Sequence, residues 1–258
     1  MTRREPVVAP LPAATVLLLR DDPFQVLMVR RRRGGTFSNA LVFPGGVIEA
    51  SDADDAWLPH LVGADGLTPE TRATRVGALR ETYEEASILV ARLADGSSIP
   101  PGPPDDGTAF RELVARRGAL LALDELHPFG HWVTPSVEPR RFDTVFLLCR
   151  APEGQLARHD DGETVGFEWA EPAVLLERAA AGERSILFPT LMNLRRLAES
   201  SSSSAAIAAA EARPVVRVDP IARRDGERII LTIPDDAGYG VTEHVLELPE
   251  KPAPGAGH

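Results

Sequence analysis

Arg80, Glu81, Glu84 and Glu85 fall within six residues, in the run Arg-Glu-Thr-Tyr-Glu-Glu. On a helix the three glutamates stand at i, i+3 and i+4, so their carboxylates share one side. Like charges at that spacing repel and call for an external counter-charge. One arginine cannot neutralise three carboxylates. A hard divalent cation with oxygen ligands can, which points to Mg²⁺ or Mn²⁺. The competing interpretation is a solvated acidic helix face. Val76, Leu79, Tyr83, Ala86 and Val90 recur every three or four residues. They form a core-facing stripe and leave the glutamates mostly on the other side. About thirty residues upstream stands Phe43-Pro44-Gly45-Gly46. A glycine pair lets backbone approach a ligand closely, which favours the metal interpretation over the solvated one.

These residues resemble the signature box of the Nudix hydrolases, Gly-x5-Glu-x7-Arg-Glu-U-x-Glu-Glu-x-Gly-U, with U a bulky apolar residue. Gly46 matches the opening glycine, Arg80, Glu81, Glu84 and Glu85 the second half, and Ile88 the last apolar position. Asp52 stands in the first carboxylate slot in place of Glu, and Glu49 is a second candidate for it. Twenty-seven residues separate Asp52 from Arg80, Ser87 replaces the second glycine, and Thr82 fills the first apolar slot. Such a lengthened box resembles the branch of the family that includes coenzyme A diphosphohydrolases. His131-Trp132-Val133-Thr134-Pro135, Arg140-Arg141-Phe142-Asp143-Thr144 and Phe188-Pro189-Thr190-Leu191 agree with that branch. The resemblance implies an α/β/α sandwich with a mixed β-sheet. It implies metal-dependent hydrolysis of a pyrophosphate bond in a nucleoside-diphosphate-linked compound, coenzyme A or acyl-coenzyme A first. ADP-ribose, a dinucleotide or another nucleotide is the alternative substrate, and a non-catalytic nucleotide sensor the alternative function.

The implied roles are specific. Glu81, Glu84 and Glu85, with the main-chain carbonyl of Gly45, would hold Mg²⁺ or Mn²⁺. Arg80 would brace the acidic helix against the glycine loop by gripping a carboxylate, Asp52 or Glu49, with its planar fork. The general base is open among Glu84, Glu163 and Glu125. Arg32 and Arg33, at the end of the Arg30–Arg33 run, are candidate phosphate contacts, with Phe37 in the same loop and Arg140 and Arg141 elsewhere. Trp132 either stacks on a base or fills core.

The elements that must position these groups come next. The chain has 258 residues, 43% hydrophobic, enough for a full core. Its net charge of −10 disfavours a broad nucleic-acid surface. Cys149, the single cysteine, excludes a disulfide framework and a thiolate zinc site. No apolar run is long enough to span a bilayer, and no signal peptide or peroxisomal address is recognised. The expectation is a cytoplasmic protein acting on a small-molecule pyrophosphate substrate, with a homodimer possible. Strands are expected at 14–19, 25–30, 41–43, 131–134, 142–149 and 167–169. Between the third and the acidic helix lies a Pro44-Gly45-Gly46 turn. Thr68-Pro69 reads as cap and first residue of the acidic helix, running to Ser87. A short helix carries Trp57, a second inserted helix spans 108–123, and helices span 171–181 and 188–199. The expected organisation is a Nudix domain over 11–199, with insertions about 53–76 and 95–127. A serine-rich joint at 200–204 opens a C-terminal β-extension over 200–248, and a disordered tail covers 249–258.

Overall fold

The computed structural model describes residues 8–31, 40–100, 107–158 and 164–247. Arg32, Arg33, Phe37 and Glu163 lie outside the described residues, as does the tail after 248. Strand β1 (Leu11–Arg20) is central, and Val16 to Leu19 are all buried. A continuous apolar run of this kind is what a strand covered on both faces requires. Alternation divides it. Ala14, Val16 and Leu18 enter one core cluster, and Leu17 and Leu19 enter the other.

In chain order there follow β2 (Gln25–Arg31), β3 (Leu41–Val42), β4 (Gly45–Val47) and two 3-10 turns, Ala50–Ala53 and Asp55–His60. Next come β5 (Leu61–Val62), α1 (Pro69–Ala86), β6 (Ala91–Arg92), α2 (Phe110–Arg116) and β7 (Leu120–Ala122). Then come β8 (His127–Val133), β9 (Phe142–Arg150), β10 (Thr164–Ala170), α3 (Pro172–Ala180) and α4 (Phe188–Leu197). Last are α5 (Ser203–Glu211), β11 (Arg217–Val218), β12 (Ile221–Asp225), β13 (Arg228–Thr232) and β14 (Glu243–Glu247).

The main sheet runs β10-β2-β1-β9-β8-β11, with β3 beside β2 and β4 beside β1. Pairs β1/β9 and β8/β11 are parallel and the others antiparallel, so the sheet is mixed. Helix α1 covers one face, and α3, α4 and α5 contribute to the cluster on the other. This is the expected α/β/α arrangement. Two small three-stranded sheets, β5-β7-β6 and β12-β13-β14, complete the fold.

Several element boundaries differ from expectation. Gly45–Val47 is no turn: it is β4, paired antiparallel with Ala13–Thr15, and the chain bends before it at Pro44. The helix expected over 108–123 stops at Arg116, because Gly118 takes φ +59 and ends it. Leu120–Ala122 then joins the β5-β7-β6 sheet instead. The serine-rich stretch is not a joint into strands. Ser202 accepts a hydrogen bond from Ala205 N at 3.2 Å and caps α5, whose alanines are strong helix formers. Buried Ser203 is tied to Asp21 in the β1–β2 turn, and β11 pairs with β8 in the main sheet.

Candidate active site

Helix α1 begins as its sequence dictates, with Thr68 Oγ1 accepting from Thr71 N and Pro69 in the first turn. Val76, Leu79, Tyr83 and Ala86 bury its inner stripe against β1. Thr82, in a slot the family fills with an apolar residue, is fully buried; its hydroxyl donates to Ala78 O at 2.7 Å, so no polar group is stranded. Ser87 caps the helix at φ +56, ψ +25, a left-handed conformation that glycine adopts without strain.

The helix meets β4 through its outer residues. Gly45 N donates to Glu85 Oε2 at 2.9 Å. A Cβ on Gly46 would fall 2.4 Å from the Glu81 carboxylate, and one on Gly45 2.3 Å from Ala14 O. Gly45 also has φ +154. Both glycines are therefore required by close approach. Arg80 closes the arrangement. Its Nε and Nη2 donate to the two oxygens of Asp52 at 2.9 and 3.0 Å, a fork-to-fork pair. Nη2 also donates to Val47 O, and Nη1 to Glu81 Oε1 and Glu84 Oε2, both at 2.9 Å. Asp52, despite its shorter side chain, is the carboxylate gripped, and it is 1% exposed. Glu49 is exposed; its backbone N–H donates to Asp52 Oδ2 at 2.8 Å.

A residue the sequence analysis overlooked makes this possible. Gly77 lies one turn before Arg80, and a Cβ there would fall 2.6 Å from Asp52 Oδ2 and 2.8 Å from Ile48 Cδ1. A glycine in the middle of a long helix, where it costs helix propensity, was the available signal.

Charge dominates the site. Burial alone would lower the Arg80 pKa, but the hydrogen bond and charge of Asp52, with the charges of Glu81 and Glu84, hold it well above its ordinary value. The Glu84 carboxyl is raised, chiefly by partial burial, with Glu81 and Glu49 adding repulsion that Arg80 only partly offsets. One guanidinium thus bonds three carboxylates. Among the described residues no group of three or more Asp, Glu, His or Cys side chains converges closely enough to hold a metal ion as arranged. The donor set nevertheless fits a hard cation: carboxylate oxygens in net negative surroundings, with no Cβ on Gly46 in front of Glu81.

Other expected contacts fall elsewhere. Trp132 does not reach the α1 face. It is 2% exposed in the opposite core cluster, its Nε1 donates to Tyr239 Oη at 2.8 Å, and its ring packs edge-on to Phe188. It fills core and does not stack on a base. Arg141 is buried, and its guanidinium donates to Thr134 O and Val8 O. It fastens the start of β9, which removes it as a ready phosphate contact. Arg140 is exposed, its guanidinium 5.1 Å from the Phe142 ring centroid. Glu125 pairs with Arg92 at 3.6 Å beside the β5-β7-β6 sheet. Buried Cys149 has its thiol pushed above its ordinary pKa by burial, which suits packing and not reactivity. Among the described residues no helix is long and apolar enough to cross a membrane.

Comparison with known proteins agrees with this geometry. The crystal structure of a NUDIX hydrolase from Alicyclobacillus acidocaldarius superposes with a TM-score of 0.69 at 28% identity, covering 79% of this chain and 97% of that one. The Homo sapiens protein named acyl-coenzyme A diphosphatase NUDT19 is 29% identical over 238 residues, or 71% of this chain and 63% of that protein. The Gallus gallus protein of the same name is 29% identical over 261 residues, or 74% and 68%. The chain therefore spans somewhat less than two thirds of the human relative's length. Nudix hydrolases generally depend on a divalent metal. The family model of the NUDT19 Nudix domain matches residues 62–197, more than half of the chain, and the chain belongs to that family.

Proposed function

We propose that the protein is a pyrophosphohydrolase that splits the diphosphate of coenzyme A or an acyl-coenzyme A, using Mg²⁺ or Mn²⁺. The observation that carries this reading is the Arg80–Asp52 fork, which clamps the Glu81, Glu84 and Glu85 end of α1 against Gly45 and Gly46. A sensor that only binds its ligand would have no need of the full carboxylate set. Glu81, Glu84, Glu85 and the Gly45 carbonyl are the groups that would hold the metal. When bound, the cation screens the diphosphate's charge and makes its phosphorus open to attack by water.

The chain's own residues supply the rest. Arg80 bonds Asp52, Glu81 and Glu84 at once, so Glu81 and Glu84 can turn toward a cation while Asp52 keeps the guanidinium in place. Glu84, 44% exposed and with its pKa raised, is the described carboxylate best suited to take a proton from the attacking water. Glu163 remains a rival for that role. Arg140 is a proposed phosphate contact, and so are Arg32 and Arg33, with Phe37 a few residues on in sequence. At net −10 the bulk field repels an anionic substrate, so capture rests on such local cations and on the metal.

The test is a substrate panel with purified protein: coenzyme A, acetyl-coenzyme A, ADP-ribose, NADH and diadenosine polyphosphates, each with Mg²⁺ and with Mn²⁺. The expected result is metal-dependent conversion of coenzyme A to adenosine 3′,5′-bisphosphate and 4′-phosphopantetheine. A clear preference for ADP-ribose or a dinucleotide would move the substrate while keeping the chemistry. No hydrolysis of any of them would sink the enzymatic reading.

A further inference from the structure

Strand register places a second polar cluster on the same face of the sheet as the acidic helix. Gly46 pairs with Ala14, Ala14 with Val145, Val145 with His131, and His131 with Arg217. Residues directly opposite one another share a face. Glu81 stands over Gly46, and Ala14 and Val145 pack with the α1 cluster, so the whole row faces α1. At about 4.8 Å per strand, His131 lies on the order of 14 Å along the row from Gly46. The floor between them is an alanine and a valine.

The row ends in a bonded group. His131 Nε2 lies 2.5 Å from Asp143 Oδ1, and Arg217 Nη2 donates to Asp143 Oδ2 at 3.2 Å. Arg217 also faces Asp219 at 3.7 Å, as does Arg141. Asp143 is held below its ordinary pKa: burial would raise it, and the His131 and Arg217 contacts outweigh that. It is therefore a carboxylate, and His131 Nε2 donates to it. Both Asp143 oxygens are occupied, so the cluster does not offer a substrate an acceptor there. What it can still offer a phosphate are the remaining guanidinium N–H groups of Arg217, while His131 Nε2–H is spent on holding Asp143. His131 and Arg217 keep 28% and 45% of their side-chain surface exposed.

We propose that Arg217, oriented by Asp143, which His131 holds from its other oxygen, forms a subsite for a second anionic group on the substrate: a phosphomonoester on the ribose of the nucleoside diphosphate. This rests on the pyrophosphatase reading, and it supplies what the metal end cannot. The metal end recognises any diphosphate; an arginine farther along the same face of the sheet selects those whose ribose carries a further phosphate. An arginine fork suits such a group, since guanidinium and phosphate match in geometry.

The experiment measures binding and hydrolysis separately. Calorimetry compares adenosine 3′,5′-bisphosphate with AMP on the full chain, for wild type, Arg217→Gln and His131→Gln, with folding checked by Tm. Arg217 lies on a short edge strand, so its variant is the safer of the two. Wild type is expected to prefer the bisphosphate by about tenfold, the worth of one charge-assisted contact. Both variants should bring that ratio toward one. In hydrolysis, the preference for coenzyme A over dephospho-coenzyme A should fall by a similar factor, mainly through KM. Equal binding of the two nucleotides by wild type would overturn the subsite, and so would variants that weaken both alike. Failure of wild type to hydrolyse coenzyme A would overturn the pyrophosphatase reading alone, since the binding ratio is measured without turnover.

Discussion

Replacing Gly77 by Ala sets two effects of opposite sign against each other. Helix propensity favours alanine over glycine in a helix interior by about 1 kcal/mol. Gly77 has a helical neighbour on every side, so on propensity alone the variant gains stability. Against this, the new Cβ would lie 2.6 Å from Asp52 Oδ2 and 2.8 Å from Ile48 Cδ1. A flexible side chain could swing away at little cost, but Asp52 is not free to do so. It is 1% exposed and held by both prongs of Arg80. Displacing it leaves two buried charges poorly paired, and breaking such a pair costs about 3–5 kcal/mol. The net expectation is a loss of about 2–4 kcal/mol. At about 2–4 °C per kcal/mol for a large domain, Tm falls by roughly 5–15 °C. Because the same fork positions Glu81 and Glu84, kcat/KM should fall by about a hundredfold, the usual effect of a shift near 1 Å in a catalytic group. Differential scanning fluorimetry and coenzyme A turnover at saturating Mg²⁺ read the two effects. A Gly77→Ala protein with wild-type or higher Tm and wild-type turnover would show that Asp52 has room, and that the fork is not what fixes the site.

Four further outcomes follow from the same geometry. Glu85→Gln should keep the fold and lose activity by a factor of hundreds, a few kcal/mol of transition-state stabilisation at about 1.4 kcal/mol per tenfold; turnover within about threefold of wild type would remove Glu85 from the metal set. Ser87→Gly should stabilise the chain by a few tenths to about 1 kcal/mol in urea unfolding, since Ser87 sits at φ +56; a loss of that size would contradict the left-handed cap. Tyr239→Phe leaves Trp132 Nε1 and Asn193 Oδ1 without the hydroxyl they share and should cost about 1–3 kcal/mol with no change in KM; a KM effect without a stability effect would return Trp132 to the substrate. The folded-state pKa of Glu84 is raised above 4.5, so metal-free protein binds that proton more tightly when folded and loses stability as pH rises from 4.5 through the raised value; Glu84→Gln should flatten this slope in EDTA, and an unaltered slope would refute it.

The acidic helix was legible because its signals are local. Thr68 and Pro69 announce the start, the stripe from Val76 to Ala86 gives the buried side, and the glutamates fall on what remains, while Val90, read as part of the stripe, lies past the left-handed cap at Ser87. The glycine pair was legible as a close approach but not as a strand, because the partner of Gly45–Val47 is Ala13–Thr15, thirty residues earlier. Trp132 shows the sharper limit. Composition offered an aromatic near the site, but in a strand the face is decided by a one-residue alternation. That alternation sends Trp132 and Val218 to one core and His131 and Arg217 to the other face. The sequence held both neighbours and could not say which one faced α1. Helix α5 was obscured for another reason: a run of five serines resembles a linker until one of them is seen to cap the alanines that follow.

The long interval between Asp52 and Arg80 is the chain's largest departure from the common box, and the fold shows why the chemistry tolerates it. Of its 27 residues, 69–79 are simply the first turns of α1, so the helix is extended backwards and the true excursion is 53–68. The site does not need Asp52 near Arg80 in sequence; it needs the two to meet. Lengthening a closed loop from seven residues to 27 costs only about 1.2 kcal/mol in closure entropy, because the cost grows with the logarithm of length. The excursion brings its own compensation. Trp57, in its second 3-10 turn, is 3% exposed, packs against Phe110 with ring centroids 5.7 Å apart, and donates from Nε1 to Ser51 O. Phe110 in turn lies 5.5 Å from Tyr83 on α1 itself. Burial of one large apolar side chain is worth about 1.5–3 kcal/mol, at least as much as the longer loop costs. The insertion is thus tied to the acidic helix at Tyr83, next to Glu84 in sequence but on the face of α1 that points away from the glutamates. It can vary in length without moving the carboxylates, as long as Asp52 still reaches Arg80 over Gly77.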